Sequence, residues 1–316
     1  MEAAVIYNPD ATGFNKYLLT ETFRNFAEQG MKVKLYESRY SGHVVDLVKK
    51  TNETSDLIVS LGGDGTLGEV FLGLGDTTQK ARYIHIPTGT ANDSADNLGL
   101  YKGRPRTSIN AYANLDNCIS EEVDMVSANN VPFGYVSSCG TFTNLTYETP
   151  KSFKKCFGKL GYYLFVALMS FKTLPGIIHK PLNITYEKNG RLITTEALTM
   201  IVSNSKTFAG FKLFKDAHIT DGLFEVSILK NFPKKRLLSF ASELLMHDSK
   251  NFDINQYPEY IDTFQTDNFR VSFNSGEPNL GFNHDGDHAY VPLNPDNTVE
   301  YKISKKVKMI LPKRAK

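Results

Sequence analysis

Residues 61–70 read LGGDGTLGEV, so Gly62, Gly63 and Gly65 surround a single carboxylate, Asp64, just before an apolar pattern resumes. Glycine costs roughly 0.5–1 kcal/mol in regular structure, which calls for another reason to place three of them here. Phosphate supplies one. Glycines let backbone N–H groups approach phosphate oxygens, and a helix starting at that point adds about half a positive charge. A bare carboxylate repels phosphate, but Mg²⁺ or a ribose hydroxyl as partner to Asp64 removes the objection. The spacing is neither the dinucleotide GxGxxG nor the P-loop GxxxxGK[ST], so a tight strand-to-helix connection is the competing explanation.

Two further stretches point to the same chemistry. IPTGTANDSADNLGL, residues 86–100, again follows a strand pattern and combines a turn with hydroxyls and carboxylates. Thr88 and Thr90 can bond phosphate, and Asp93 can hold a metal-bound water or cap the following helix. YNPDATG, residues 7–13, leaves another strand, with Asn8 placed to meet an adenine or ribose. Three loops on one rim support a nucleotide site better than any one of them.

Alternating strand and helix signals place these loops. Ala3–Tyr7 is an apolar strand ended by Asn8 and Pro9, and a helix with Leu19, Phe23 and Phe26 on one face runs to Gly30. The strand KVKLY, a helix over about 42–51 and the buried strand Leu57–Ser60 follow. Leu67, Val70, Phe71 and Leu74 then mark an amphipathic helix, and ARYIHIP a further strand. This alternation predicts a parallel sheet, whose carboxyl edge is where open α/β proteins bind ligands. After about residue 123 the texture changes to paired strands around Asn129-Asn130 and Asn189-Gly190, which are hairpin turn pairs. FEVSIL and FRVSFN add strands, and helical insertions are expected near 157–173 and 233–247. The expected architecture is an α/β domain with a parallel sheet over 1–126 and an antiparallel β-sandwich over 127–304, with residues 305–316 returning to the first.

At 316 residues with 41% apolar composition the chain can build substantial cores, and 36 basic against 34 acidic residues is too balanced for a general nucleic-acid binder. Cys118, Cys139 and Cys156 form no paired framework, which fits a reducing, cytoplasmic setting. The N-terminus MEAAVIYNPD lacks the features of a secretory signal. The apolar run at 160–171 falls short of the ~20 residues that span a bilayer, so it either stays in water or touches a lipid surface. From Lys302 onward every charged residue is basic; the run reads either as a tail against an anionic surface or as a solvated tail after a last strand.

YNPDATG, SLGGDGTLGEV and PTGTANDSA, in that order and spacing, resemble the catalytic domain of diacylglycerol kinases and related lipid kinases. The match extends through TNLTYETP at 143–150, DAHITDGLFEV at 216–226 and NHDGDHAY at 283–290. GGDG alone is shared with NAD kinases and phosphofructokinases; the TGTANDSA loop and the late DGD favour the lipid-kinase branch. The resemblance implies ATP and Mg²⁺ as cofactors. Asn8, Pro9, Asp10, Ala11, Thr12, Ser38, Gly62, Gly63, Asp64, Gly65, Thr66 and Thr90 would line the ATP site. Asp64 and Asp93 would organise phosphates and Mg²⁺, with Asp124 joining them and Asp285 in the same cofactor group. A structural Mg²⁺ would be held by Asp221 and by the backbone carbonyls of His218 and Leu223. The acceptor would be a lipid alcohol, most simply diacylglycerol, met at the inner membrane face, and a homodimer is plausible. The apolar run at 160–171 would line the acyl groove, or else form a core helix, with KNFPKKR at 230–236 and the basic tail meeting headgroups.

In that family the base that takes the hydroxyl proton is the glutamate of a DGE triplet, whereas this chain has Asp285-Gly286-Asp287. One methylene fewer retracts the carboxylate of Asp287 by roughly 1 Å, and a displacement of that size can cost about 100-fold in rate. Phe14 likewise stands where close relatives often carry a basic residue. Two rivals follow. An NAD kinase would share GGDG but should carry a dinucleotide pattern in the second half, which is not found; a catalytically silent nucleotide-binding protein would keep the glycine loops and lose the base.

Overall fold

The computed structural model describes residues 1–89, 92–140, 181–207, 213–230, 256–274 and 281–313, the side chains of Asp96 and Asp287 excepted. Thr90, the apolar run at 160–171, TNLTYETP, both expected helical insertions and all of KNFPKKR after Lys230 lie outside the described residues.

The first half alternates strand and helix: β1 (Glu2–Tyr7), α1 (Lys16–Glu28), β2 (Lys32–Glu37), α2 (His43–Asn52), β3 (Leu57–Gly62), α3 (Asp64–Gly75) and β4 (Arg82–Pro87). β2, β1, β3 and β4 lie side by side and parallel. β3 is buried along its whole length, as its unbroken apolar run requires of a strand covered on both faces, while β2 at the edge is mostly exposed. In α3, Leu67, Val70, Phe71 and Leu74 are all buried, as expected. In α1 the buried stripe is Leu18, Thr22 and Phe26, and Phe23, expected in the core, is 41% exposed. Asn15 sets that phase by capping the Leu18 N–H at 3.0 Å, and Thr22 can be buried because its hydroxyl donates to the Leu18 carbonyl at 2.8 Å.

Two short helices follow, α4 (Asp93–Asn97) and α5 (Pro105–Ala111), then β5 (Cys118–Ala128), β6 (Val131–Phe133) and β7 (Val136–Gly140). The remaining strands are β8 (Leu182–Lys188), β9 (Arg191–Ser203), β10 (Phe224–Lys230), β11 (Ile261–Thr266), β12 (Asn268–Phe273), β13 (Phe282–His284), β14 (Asp287–Ala289) and β15 (Thr298–Pro312). The expected hairpin turns form at Asn129-Asn130 and Asn189-Gly190, all four residues at positive φ.

The hydrogen bonding does not separate a parallel domain from an antiparallel sandwich. One mixed sheet runs β14-β13-β7-β9-β8-β12-β15-β4-β3-β1-β2 among the described residues. β15 is the joint: its first residues pair with β12, its length pairs with β5, and Met309 lies parallel beside Tyr83 of β4. Its alternating apolar residues accordingly enter two cores. Tyr301 packs with the antiparallel strands, whereas Val307, Met309, Ile310 and Leu311 pack with the parallel ones. The basic C-terminal run is thus strand rather than tail as far as Pro312. Lys305 donates to the carbonyls of Leu74, Gly75 and Thr77 at the C-terminal end of α3, where a cation is favoured, and Lys306 lies 3.4 Å from Asp124. No helix among the described residues is long and apolar enough to cross a membrane.

Candidate active site

Because β1, β3 and β4 are parallel neighbours, the three loops singled out in the sequence leave the sheet at one edge. Backbone hydrogen bonds stitch them together: Asn8 N–H donates to Leu61 at 3.0 Å, Gly13 N–H to Thr88 at 2.8 Å, and Thr88 N–H to Gly62 at 2.7 Å. The glycines serve this closeness. A Cβ on Gly89 would sit 2.5 Å from the Gly63 Cα, so both positions must lack a side chain for the loops to touch. Ser38, at the end of β2, donates its N–H to Tyr7 at 2.9 Å and completes the rim.

The first loop is largely closed on itself. Asn8 accepts the Asp10 N–H through Oδ1 at 2.9 Å, and Ala11 donates to the Asn8 carbonyl; Pro9, Asp10 and Thr12 are exposed, and Ala11 is half-buried. The second loop is the open one. Gly63 precedes α3 with no side-chain cap, so the first-turn N–H groups of Asp64, Gly65 and Thr66 have no partner within the helix. In the third loop the Thr88 hydroxyl is buried and has no hydrogen-bond partner among the described residues. An uncapped helix start and an orphan hydroxyl on one rim suit the oxygens of a polyphosphate.

The carboxylates have other occupations. Asp64 is buried, and its oxygens accept the Asp93 N–H at 2.9 Å, the Ser94 N–H at 3.1 Å and the Ser94 hydroxyl at 2.7 Å. It caps α4 from another element. Burial, helped by the nearby Asp93 charge, raises its pKa, while the Ser94 and Asp93 donors oppose the rise. Asp93, expected either at a metal-bound water or as a cap, is almost wholly buried and pairs with Lys102 at 2.5 Å. Asn92 shapes that loop at φ 46°, its side chain exchanging two hydrogen bonds with Gly89.

Glu69 is a residue that sequence reasoning passed over. Its two oxygens accept the N–H groups of Gly42 and Val44 at 3.0 Å each, capping α2, which has no side-chain cap of its own. The motif GGDGTLGE therefore carries two acids on α3 that close the starts of two neighbouring helices. Lys102, Ser94 and Asn92 were also unassigned. Asn92 and Ser94 had a signal, since Asn tolerates left-handed backbone and Ser favours helix starts; Lys102 had none, being selected by proximity in space.

The later residues fall into two groups. Asp124 is fully buried, accepts the Gly222 N–H at 2.7 Å and donates its own N–H to Ile219 at 2.7 Å, anchoring the loop that carries His218, Asp221 and Leu223. In that loop Asp221 is exposed and accepts the Leu223 N–H at 3.0 Å, and His218 is exposed. Among the described residues no three His, Cys, Asp or Glu side chains gather as a metal site. Asp285 turns the β13–β14 hairpin at φ 56°, and His284 pairs across it with Asp287. The Asp285 carboxylate accepts three backbone N–H groups, from Gly134 at 2.5 Å, Tyr135 at 2.8 Å and Val136 at 3.1 Å. Burial pushes its pKa up to about 7, with Asp64 adding to the rise and the three amides opposing it.

The family model for the diacylglycerol kinase catalytic domain matches residues 2–128. A protein named diacylglycerol kinase from Bacillus subtilis (strain 168) is 30% identical over 254 residues, which cover 79% of this chain and 80% of the relative. One of the same name from Staphylococcus aureus (strain NCTC 8325 / PS 47) is 29% identical over 231 residues, covering 72% and 70%. In fold, a solved diacylglycerol kinase from Bacillus anthracis str. Sterne aligns over 98% of this chain and 96% of its own, with a TM-score of 0.68 at 16% identity. On the identity to the Bacillus subtilis relative, over most of both chains, this protein belongs to the diacylglycerol kinase catalytic-domain family.

Proposed function

We propose that the protein is an ATP- and Mg²⁺-dependent lipid kinase that transfers a γ-phosphoryl group to the hydroxyl of a lipid alcohol, with diacylglycerol as the first acceptor and phosphatidic acid as product. The observation that carries this reading is the stitched three-loop rim, in which the uncapped start of α3 adjoins the loop that holds the buried Thr88 hydroxyl. The names borne by its relatives favour the lipid acceptor.

When bound, ATP brings the γ-phosphoryl group and Mg²⁺ screens its charge. Asp64 and Asp93, held by Ser94, the Asp93 N–H and Lys102, would shape the loops that organise the phosphates and their Mg²⁺. Asn8 to Thr12, Ser38, Gly62 to Thr66 and Thr90 bound the nucleotide, and the N–H groups at the start of α3 hold its phosphates. Asp287 takes the acceptor's hydroxyl proton as that oxygen bonds to the γ-phosphorus and the bond to the β,γ-bridging oxygen breaks, releasing ADP. The nucleotide is assigned to residues 1–126 with 305–316, and the lipid to 127–304. A second Mg²⁺ would be held by the Asp221 carboxylate and the backbone carbonyls of His218 and Leu223. Contact with the membrane is peripheral at the inner face, and a homodimer is compatible with this arrangement.

The test is transfer from γ-labelled ATP to a panel of lipid alcohols in mixed micelles with Mg²⁺, with NAD as a soluble comparison. Labelling of one lipid, lost in Asp287→Asn, is expected. Labelling of NAD alone would overturn the lipid assignment, and ATP binding with turnover only in Asp287→Glu would identify a site disarmed by its short carboxylate.

A further inference from the structure

Asp285 occupies a contact between three elements. It is the first residue of the two-residue turn between β13 and β14, at φ 56°, and Gly286 follows at φ 96°. Asn283 closes the turn by accepting the Gly286 N–H at 2.9 Å, and Asp285 donates its own N–H to Val136 at 3.0 Å. Its carboxylate points out of the hairpin into the turn between β6 and β7, where the successive N–H groups of Gly134, Tyr135 and Val136 converge on it. Such a run of amides forms an anion-binding concavity, here filled by a side chain of the same protein.

The third element is α3. A Cβ placed on Gly68 would lie 2.3 Å from Asp285 Oδ2, and one on Gly134 would lie 3.2 Å from the Gly68 Cα. Gly68 is four residues, about one turn, beyond Asp64 at the start of α3. The helix that opens on the candidate phosphate loop therefore rests directly on this carboxylate, and Asp287 lies two residues further along the same hairpin. With both oxygens engaged by backbone amides and only 5% of the residue exposed, Asp285 is built into the frame rather than offered to a nucleotide.

We propose that Asp285 is a positioning residue: by clamping the 134–136 amides against Gly68 of α3, it sets the distance between the phosphate-binding helix start and the hairpin that carries Asp287. The kinetic part of this inference rests on the lipid-kinase reading above; the structural part does not. Gly68 is then a glycine because a side chain there would push the clamp apart.

The experiment compares Asp285→Asn, Asp285→Gly, Gly68→Ala and the double variant Asp285→Gly/Gly68→Ala with wild type and Asp287→Asn. Dioleoylglycerol in mixed micelles serves as acceptor, and hydrogen–deuterium exchange of residues 131–140 and 281–290 is followed in parallel. Asp285→Asn keeps the side chain's size while setting an NH₂ against backbone donors, and glycine suits the positive φ, so folding is expected in both. Expected results are a fall in kcat of about 10- to 100-fold in each single Asp285 or Gly68 variant, KM for ATP within about twofold, and a double variant no worse than Asp285→Gly. Exchange should rise in both peptides together. Equal losses in ATP binding and kcat would return Asp285 to the nucleotide and overturn the clamp, as would additive losses in the double variant or unchanged exchange at 281–290 in Asp285→Gly. Full activity in Asp287→Asn would overturn the base assignment alone, and the exchange data would still decide the clamp.

Discussion

Asp64 and Asp285 are both buried, and each carboxylate accepts three hydrogen bonds, yet they hold different kinds of boundary. The donors to Asp64 come from Asp93 and Ser94, within the same group of loops at the edge of the parallel strands. The donors to Asp285 lie about 150 residues away, and its neighbour Gly68 belongs to α3, so it joins the antiparallel hairpin to the helix. A buried acid can thus serve as a local cap or as a joint between regions, and the pattern of donors tells which.

The largest expected effect of breaking that contrast comes from Asp64→Ala. Buried amides of Asp93 and Ser94 would lose their acceptor, at about 1–3 kcal/mol each, so urea unfolding should register a loss on the order of 3 kcal/mol together with weaker ATP binding. Exchange at residues 281–290 should stay at its wild-type rate; a rise there would mean that the two regions are not separable.

Gly89→Ala comes next. Its Cβ would press on the Gly63 Cα, and overpacking of this kind costs about 1–3 kcal/mol. ATP affinity measured by calorimetry should fall at least tenfold, with vesicle binding unchanged. Wild-type affinity would show that the loops separate freely and that their contact does not shape the rim.

A smaller change is expected for Lys305→Ala, which removes the cation at the end of α3 and should cost about 1 kcal/mol in thermal unfolding. Binding to anionic vesicles should not change, because the lysine is spent on carbonyls rather than on the surface. A marked loss of vesicle binding would bring this strand back into the membrane contact.

Glu225 tests the antiparallel side through pH. It is buried on β10, receives one hydrogen bond from Gln265 at 2.9 Å, and is pushed by burial, with Asp221 and Asp216 adding, from an ordinary 4.5 to about 7. The folded protein keeps this proton up to about pH 7 whereas the unfolded chain releases it near 4.5, so the stability it contributes at low pH is lost as pH rises between those values. Glu225→Gln should make that part of the Tm profile shallower, leaving the share of Asp285, which titrates over an overlapping range; an unchanged slope would place the titration elsewhere.

Much of the rim was legible in the residues. Apolar runs ended by glycine, proline or asparagine located β1, β3 and β4, and parallel pairing puts the loops after them on one edge without further information. On α1 the expected face brings Phe26 and Leu19 to the core but not Phe23, because Thr22, a polar residue, is buried by bonding its own helix, a choice that an apolar count cannot see. The basic run after Lys302 looked like a tail because its charges dominate, whereas the interleaved Val307, Met309 and Leu311 commit it to a core.

The amino-acid sequence by itself determined the strands and helices, the carboxyl edge on which the loops meet and the small residues that let them meet closely, because periodicity and turn chemistry act over a few residues. Only the tertiary structure decided what each acid does. Asp64, Glu69, Asp93, Asp124 and Asp285 find their partners through folded space, and a carboxylate has no preference of its own between a phosphate's metal, a lysine and a helix start until burial removes water and leaves it whichever donors the packing has brought near.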